Sequence, residues 1–204
     1  MRIGIFGGTF DPVHHAHLII ADFVRLEAKL DRVIFVPSAI SPHKQGEEVA
    51  VAADRLAMLQ AAIGQSTVFE VSDMEIKRGG VSYSVDTVRE LAGEHPKDQL
   101  FLMIGSDNLA EFSTWKDPDE ILKRAELIAF KRPGHEVNPS EVPIGKEAII
   151  CDIPGIDISS TQVRKRVAAG LPIGLMVPEG VEKYIIEHGL YKRKTKTQLT
   201  FSTK

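Results

Sequence analysis

The sequence of 204 residues has little of several features that would each indicate a particular class of protein. It holds one cysteine, Cys151, which excludes an internal disulfide framework. Acidic and basic side chains nearly balance, with a formal net charge of −3, so nothing draws the whole chain to nucleic acid or to an anionic membrane. No apolar run approaches the roughly 18 residues that a membrane-spanning helix needs. The first residues predict a strand, whereas a signal peptide would begin with basic residues followed by an apolar run. We therefore expect a cytoplasmic protein that has neither nucleic acid nor a membrane as its partner.

Short apolar runs are present at regular intervals along the first three quarters of the chain. They are Ile3 to Phe6, Val33 to Val36, Val68 to Val71, Leu100 to Ile104, Leu127 to Phe130 and Ala148 to Cys151. Several of these runs are apolar at consecutive positions, which is typical of strands that are buried on both faces. Such strands indicate a parallel sheet covered by helices.

Helical periodicity fills the gaps between the runs and continues after the last one. The predicted helices are Leu18 to Leu30, Ala53 to Ile63, Val85 to Leu91, Ile121 to Ala125, Ser159 to Ala169 and Glu179 to His188. This alternation predicts a doubly wound, Rossmann-like α/β fold: a parallel sheet with helices on both faces and a C-terminal helical appendage. We expect residues 1–191 to form a single domain and residues 192–204 to form a basic, flexible tail.

The most informative segment follows the first predicted strand and reads Gly7-Gly8-Thr9-Phe10-Asp11-Pro12-Val13-His14-His15-Ala16-His17. The two glycines let the backbone approach a ligand closely, and the start of the following helix favours an anion. His14 and His17 are three residues apart, so both could donate hydrogen bonds to phosphate oxygens from one face of that helix. A helix start that is rich in histidine by chance, or a zinc-binding pair, is the alternative. The single cysteine and the lack of a His-Glu-x-x-His helix leave zinc without obvious further ligands.

Two further loops follow predicted strand ends, which is the edge where doubly wound sheets bind ligands. Lys44, in Pro42-His43-Lys44, is either a point charge for a phosphate or a solvated lysine. Asp107, after Gly105, could bind ribose hydroxyls or cap a helix. Trp115 could stack on a flat ring or serve as a half-buried packing residue.

The last informative segment runs from Asp157 to Arg164. Ser159 or Ser160 is a natural helix N-cap, and the free N–H groups and hydroxyls beside it form a second candidate anion site. Arg164 lies four residues after Ser160, on the same face and one turn into the helix. The alternative is a capped surface helix with a solvated arginine.

In combination, these segments resemble the bacterial nicotinate-nucleotide adenylyltransferases of the nucleotidyltransferase superfamily, from Arg2 to about Lys192. The resemblance implies transfer of the adenylyl group of ATP to nicotinate mononucleotide, which yields deamido-NAD and pyrophosphate in NAD biosynthesis. It implies Mg²⁺ that is held mainly by the ATP phosphates, without protein ligands for the metal, and it allows a homo-oligomer. A superfamily member acting on nicotinamide mononucleotide or another phosphate-bearing acceptor, or a non-catalytic nucleotide-binding module, is the alternative.

The resemblance also implies roles for individual residues. His17 would contact the α-phosphate and His14 the bridging region, while Lys44 and Arg164 would contact the β- and γ-phosphates. The ATP-binding residues would be Gly7, Gly8, Thr9, Phe10, Gly105, Asp107, Ile158, Ser159, Ser160 and Thr161. Thr87, in the segment from Ser82 to Thr87, and Trp115 would bind the pyridine nucleotide. One departure is Ala16, which stands where the family pattern usually has glycine.

Overall fold

A six-stranded parallel sheet forms the centre of the computed structural model, which describes residues 1–42, 46, 48–131 and 148–193. Its strands are β1 (Arg2–Gly8), β2 (Arg32–Pro37), β3 (Phe69–Val71), β4 (Gln99–Gly105), β5 (Ala125–Phe130) and β6 (Ala148–Cys151). They lie in the order β3-β2-β1-β4-β5-β6, and each neighbouring pair is parallel. The order reverses between β1 and β4. The loops that follow these two strands therefore flank the crevice in which doubly wound sheets bind their ligands.

Eight helices cover the two faces of the sheet in the described part of the chain. They are α1 (His15–Glu27), α2 (Ala52–Ile63), α3 (Met74–Arg78), α4 (Ser84–Glu94), α5 (Ser106–Glu111), α6 (Pro118–Leu122), α7 (Ser160–Ala168) and α8 (Glu179–Glu187). A 3₁₀ turn, Phe112–Thr114, follows α5. None of the described helices combines the length and the apolarity that crossing a membrane would require.

Two separate hydrophobic clusters show which helices lie on which face. Strand side chains alternate between the faces, so that Ile3 and Ile5 join one cluster while Phe6 joins the other. Helices α1, α2, α7 and α8 pack with Phe6, and α3, α4, α5 and α6 pack with the two isoleucines. The predicted doubly wound architecture, with helices on both faces and a C-terminal pair of helices, is confirmed.

The strands lie where consecutive apolar residues predicted them, with bounds that differ by two residues or fewer. The helix predicted from Ile121 to Ala125 is wrong at its end, because Ala125 already pairs with Leu100 in the sheet and α6 stops at Leu122. Helix α1 begins at His15, earlier than the predicted Leu18, since His14 is its N-cap.

The end of the chain is described only in part. Lys192 and Arg193 are exposed, while residues 194–204, most of the predicted tail, lie outside the described residues. The expected tail therefore stays a prediction.

Candidate nucleotide site

A cavity of about 770 Å³ opens at the carboxyl edge of the sheet, where the strand order reverses. Its volume lies within the range of small-molecule sites. Thirteen of the residues that were predicted to act on substrate line it: Gly7, Gly8, Thr9, Phe10, His14, His17, Gly105, Asp107, Trp115, Ile158, Ser159, Ser160 and Thr161. The fold thus brings the first motif and the segment from Asp157 to Arg164 to one place.

The two positions that end β1 are glycines for different physical reasons. A Cβ atom at Gly7 would meet nothing within 4 Å, so the backbone there is open to the cavity. A Cβ atom at Gly8 would lie 2.9 Å from the ring of Phe10, which is fully buried. Gly7 therefore gives access to a ligand, whereas Gly8 makes room for an aromatic ring of the core.

The two histidines at the start of α1 form a stacked pair. Their ring centroids are 3.7 Å apart, and the ring planes are inclined by 28°. The backbone N–H of His14 donates to Nδ1 of His17 at 3.2 Å. Because Nδ1 accepts this bond, the neutral His17 ring carries its proton on Nε2, which makes Nε2 a donor. The edge of Phe10 lies against the same ring, with centroids 5.0 Å apart, and restricts its orientation.

The start of α7 is capped reciprocally. Oγ of Ser159 accepts from the backbone N–H of Gln162 at 3.2 Å, and the side chain of Gln162 accepts from the N–H of Ser159 at 2.8 Å. Ser159 is therefore the N-cap. The hydroxyl of Ser160 instead donates to the carbonyl of Pro12 at 2.9 Å, which ties the start of α7 to the first motif.

Arg164 lies behind the rim of the cavity and is not one of its lining residues. Nη1 donates to the carbonyl of Asp11 at 2.7 Å, and Nη2 donates to Oγ1 of Thr161 at 3.2 Å. Nη1 is also 3.6 Å from Oδ2 of Asp11. Contact with a phosphate therefore requires the guanidinium to turn outward. Lys44, the other predicted phosphate ligand, lies outside the described residues.

Aromatic side chains line the cavity next to the face of the sheet that holds Ile3 and Ile5. Trp115 is half-buried and packs against Phe112, with ring centroids 5.4 Å apart, and Tyr83 lies nearby in the wall. Asp107 lines the cavity from the first turn of α5, whose N-cap is Gly105. The alternative of Asp107 as the helix N-cap is therefore wrong.

Thr87 lies behind the cavity wall, and this placement corrects its predicted role. The residue is buried and is not among the lining residues. Its hydroxyl donates to the carboxylate of Glu75 and accepts from Nη2 of Arg78. Its backbone N–H points back to the carbonyl of Tyr83 at 3.4 Å. Thr87 thus fixes α3 against the first turn of α4, and Ser84 is the residue of that turn that lines the cavity.

A buried polar cluster beneath the glycine turn was not predicted. Asp11 is 1% exposed, and its Oδ1 accepts from the hydroxyl of Tyr191 at 2.7 Å and from the N–H of Ala50 at 3.2 Å. Arg55, also 1% exposed, donates to three backbone carbonyls, those of Thr9, Ala39 and Ala50. Burial lowers the pKa of Arg55, and the negative charge of Asp11 opposes that shift.

The sequence contained one usable signal for this cluster. Arg55 stands three and four residues before Met58 and Leu59, so it lies on the apolar face of α2. A charged residue there indicates a buried and bonded group. Tyr191 had no such local signal.

Among the described residues, no three or more His, Cys, Asp and Glu side chains are grouped so that they could hold a metal ion.

Residues 5–166 match the family described as cytidylyltransferase-like. A protein of Halalkalibacterium halodurans named "Probable nicotinate-nucleotide adenylyltransferase" is 44% identical over 192 residues, which cover 94% of this chain and 91% of that protein. A protein of the same name from Salinibacter ruber is 41% identical, with 94% and 98% covered. The solved Plasmodium falciparum nicotinic acid mononucleotide adenylyltransferase complexed with NaAD shares the fold, with a TM-score of 0.77, 20% identity, and 93% and 97% of the two chains covered. The chain therefore belongs to the cytidylyltransferase-like family, and within it to the nicotinate-nucleotide adenylyltransferases.

Proposed function

We propose that the protein transfers the adenylyl group of ATP to the 5′-phosphate of nicotinate mononucleotide and releases pyrophosphate and deamido-NAD, a step of NAD biosynthesis. The observation that carries the proposal is that one cavity joins two chemically different ends. One end has the Gly7 turn, the histidine pair and the start of α7, and the other has Trp115 and Tyr83. The first end suits a triphosphate and the second suits a flat ring. The names of the relatives agree with this assignment.

At the phosphate end, the site has donors where negative charge develops. Nε2–H of His17 is assigned to the α-phosphate and His14 to the bridging oxygen. Arg164, after turning outward, and Lys44 are assigned to the β- and γ-phosphates. ATP would enter as its Mg²⁺ complex, in which the phosphates would be the main ligands of the metal and the metal would neutralise part of their charge.

The reaction needs no general base. A phosphate oxygen of nicotinate mononucleotide is already an anion, and it forms the new bond to the α-phosphorus. The bond from that phosphorus to the bridging oxygen breaks, and its electron pair leaves with pyrophosphate. Catalysis therefore consists of alignment and of charge stabilisation by fixed donors.

At the aromatic end, we assign the pyridine ring to Trp115 and its carboxylate to backbone N–H groups at the start of α4, where Ser84 lines the cavity. A carboxylate accepts from every such donor. The amide of nicotinamide mononucleotide would turn an NH₂ group toward a donor, and an unpaired buried polar group costs about 1–3 kcal/mol. The site should therefore favour the acid.

A pyrophosphate-release assay tests the proposal. With Mg²⁺-ATP and nicotinate mononucleotide, we expect equal amounts of pyrophosphate and of the dinucleotide, and we expect neither when the mononucleotide is omitted. A protein that binds ATP but releases no pyrophosphate with any mononucleotide would be a non-catalytic nucleotide-binding module.

A further inference from the structure

The proposed mechanism makes no use of the buried carboxylate of Asp11. The two oxygens of this carboxylate are in different situations. Oδ1 accepts from the hydroxyl of Tyr191 and from the N–H of Ala50. Oδ2 has no hydrogen bond from any described residue, and Nη1 of Arg164 lies 3.6 Å away from it. The negative charge of Asp11 is therefore only partly compensated at Oδ2, and a cation that moves closer to this oxygen would stabilise it.

Arg164 is the cation that can move toward Asp11. Its side chain is 27% exposed, and its present hydrogen bonds go to the carbonyl of Asp11 and to Oγ1 of Thr161. Arg55 also interacts electrostatically with Asp11, but it is fully buried and its guanidinium already donates to three backbone carbonyls. A loss of donors at Asp11 would therefore be compensated by Arg164, which would close the ion pair and turn away from the cavity.

Tyr191 is held in a conformation that directs its hydroxyl to Asp11. Its φ of 60° lies in the left-handed region, which a bulky residue rarely adopts, and Gly189, two residues earlier, has a φ of 61°. Residues held in such conformations cluster at functional sites. Burial raises the pKa of the Tyr191 phenol, and the charge of Asp11 raises it further. The phenol therefore keeps its proton and remains a donor.

We infer that Tyr191 is a positioning residue of the nucleotide site: its hydroxyl shares the charge of Asp11 and so leaves Arg164 free to turn to the triphosphate. This inference rests on the proposed function, because it takes the triphosphate as the anion that Arg164 meets. The turn that carries Tyr191 therefore belongs to the ATP half of the site and has no part in binding the acceptor.

A matched pair of variants tests the inference. Tyr191→Phe removes only the hydroxyl. Tyr184→Phe is the control, because Tyr184 also donates to a carboxylate, Oδ1 of Asp54 at 2.9 Å, and neither residue lines the cavity. We expect Tyr191→Phe to raise the KM for ATP roughly tenfold, the value of one hydrogen bond to a charged group, and to leave the KM for the mononucleotide within about twofold. Tyr184→Phe should leave both constants within about twofold.

Titration calorimetry with Mg²⁺-ATP alone separates this inference from the proposed function. A Kd for ATP that is raised in Tyr191→Phe and unchanged in Tyr184→Phe supports the inference, even if no acceptor is turned over. An unchanged Kd in Tyr191→Phe overturns the inference and leaves the adenylyltransferase activity standing. An equal loss of ATP affinity in Tyr184→Phe, or an equal rise of the KM for ATP and the KM for the mononucleotide in Tyr191→Phe, would also overturn it, because either would indicate a general structural effect.

Discussion

At the scale of single residues, His17 and His15 are neighbours on α1 with different surroundings. His17 stacks on His14, contacts Phe10 and lines the cavity. His15 is not among the lining residues, and its backbone N–H donates to the carbonyl of Met176 at 2.9 Å, a bond that does not depend on its side chain. His17 is therefore the position to test for catalysis, and His15 is its matched control.

We expect His17→Ala to lower kcat by roughly 10²–10³, the usual loss for one preorganised donor at developing charge. His15→Ala should stay within about threefold of the wild type. Circular dichroism should show both variants folded. Turnover of His17→Ala within about threefold of the wild type would remove His17 from the mechanism.

The buried thiol of Cys151 should make the stability of the fold depend on pH. It is fully buried in β6, and burial, with a smaller effect from the charge of Glu27, raises the pKa of its thiol from 9.0 to about 12. The unfolded chain therefore loses this proton at lower pH than the folded chain does. The associated stability is complete below about pH 9 and is lost as the pH rises toward 12, by at most about 1.4 kcal/mol per pH unit.

Denaturant unfolding of the wild type and of Cys151→Ala between pH 8 and 11 (roughly the range in which the two states differ in protonation) measures this effect. The stability advantage of the wild type should shrink as the pH rises. An advantage that stays constant over this range would mean that the thiol titrates as it does in the unfolded chain.

At the scale of elements, the sequence predicted the strands better than the short helices. Strands such as β2, with buried residues at consecutive positions, have no other environment available than the centre of a parallel sheet. Helices α3 and α5 have five and six residues, which is too short for a 3.6-residue period to be recognised. Each follows a strand and packs an apolar residue, Met74 or Leu109, on the face of Ile3 and Ile5.

The end of the chain gives a prediction at this scale. Removal of residues 192–204 takes away the exposed Lys192 and Arg193 together with the rest of the basic segment, so melting temperature and ATP affinity should be unchanged. Removal of residues 191–204 also takes away the donor to Asp11. Because one hydrogen bond to a charged group is lost, the melting temperature of this longer truncation should fall by roughly 3–12 °C in a domain of this size. A large fall already in the shorter truncation would show that the segment after Tyr191 packs on the protein.

At the scale of the whole molecule, the limits of sequence reasoning follow from the range of the contacts. The glycine turn, the histidine pair and the cap at Ser159 are local patterns, and each of them lines the cavity. The bond from Tyr191 to Asp11 joins positions that are 180 residues apart, and no local pattern predicts it. Thr87 was assigned to substrate for a related reason, since its partners Glu75 and Arg78 come from another helix.

The choice of acceptor also depends on the whole fold, because α4 and the loop with Trp115 come together only in the folded protein, where Nζ of Lys116 lies 3.4 Å from Oδ2 of Asp86 in α4. Trp115→Ala should weaken nicotinate and nicotinamide mononucleotides alike, since a stacked ring does not distinguish the substituent. Discrimination between them belongs to the donors at the start of α4. It is therefore measured with the unaltered protein.

The measurement that tests the central claim most directly is the ratio of kcat/KM for nicotinate mononucleotide to kcat/KM for nicotinamide mononucleotide, at saturating Mg²⁺-ATP. The amide NH₂ and the backbone N–H that it would face are two unpaired polar groups, and at about 1–3 kcal/mol each they predict a ratio on the order of 10² or more. A ratio near one, or one that favours the amide, would contradict the assignment of the acceptor, and release of pyrophosphate with neither mononucleotide would contradict the reaction itself.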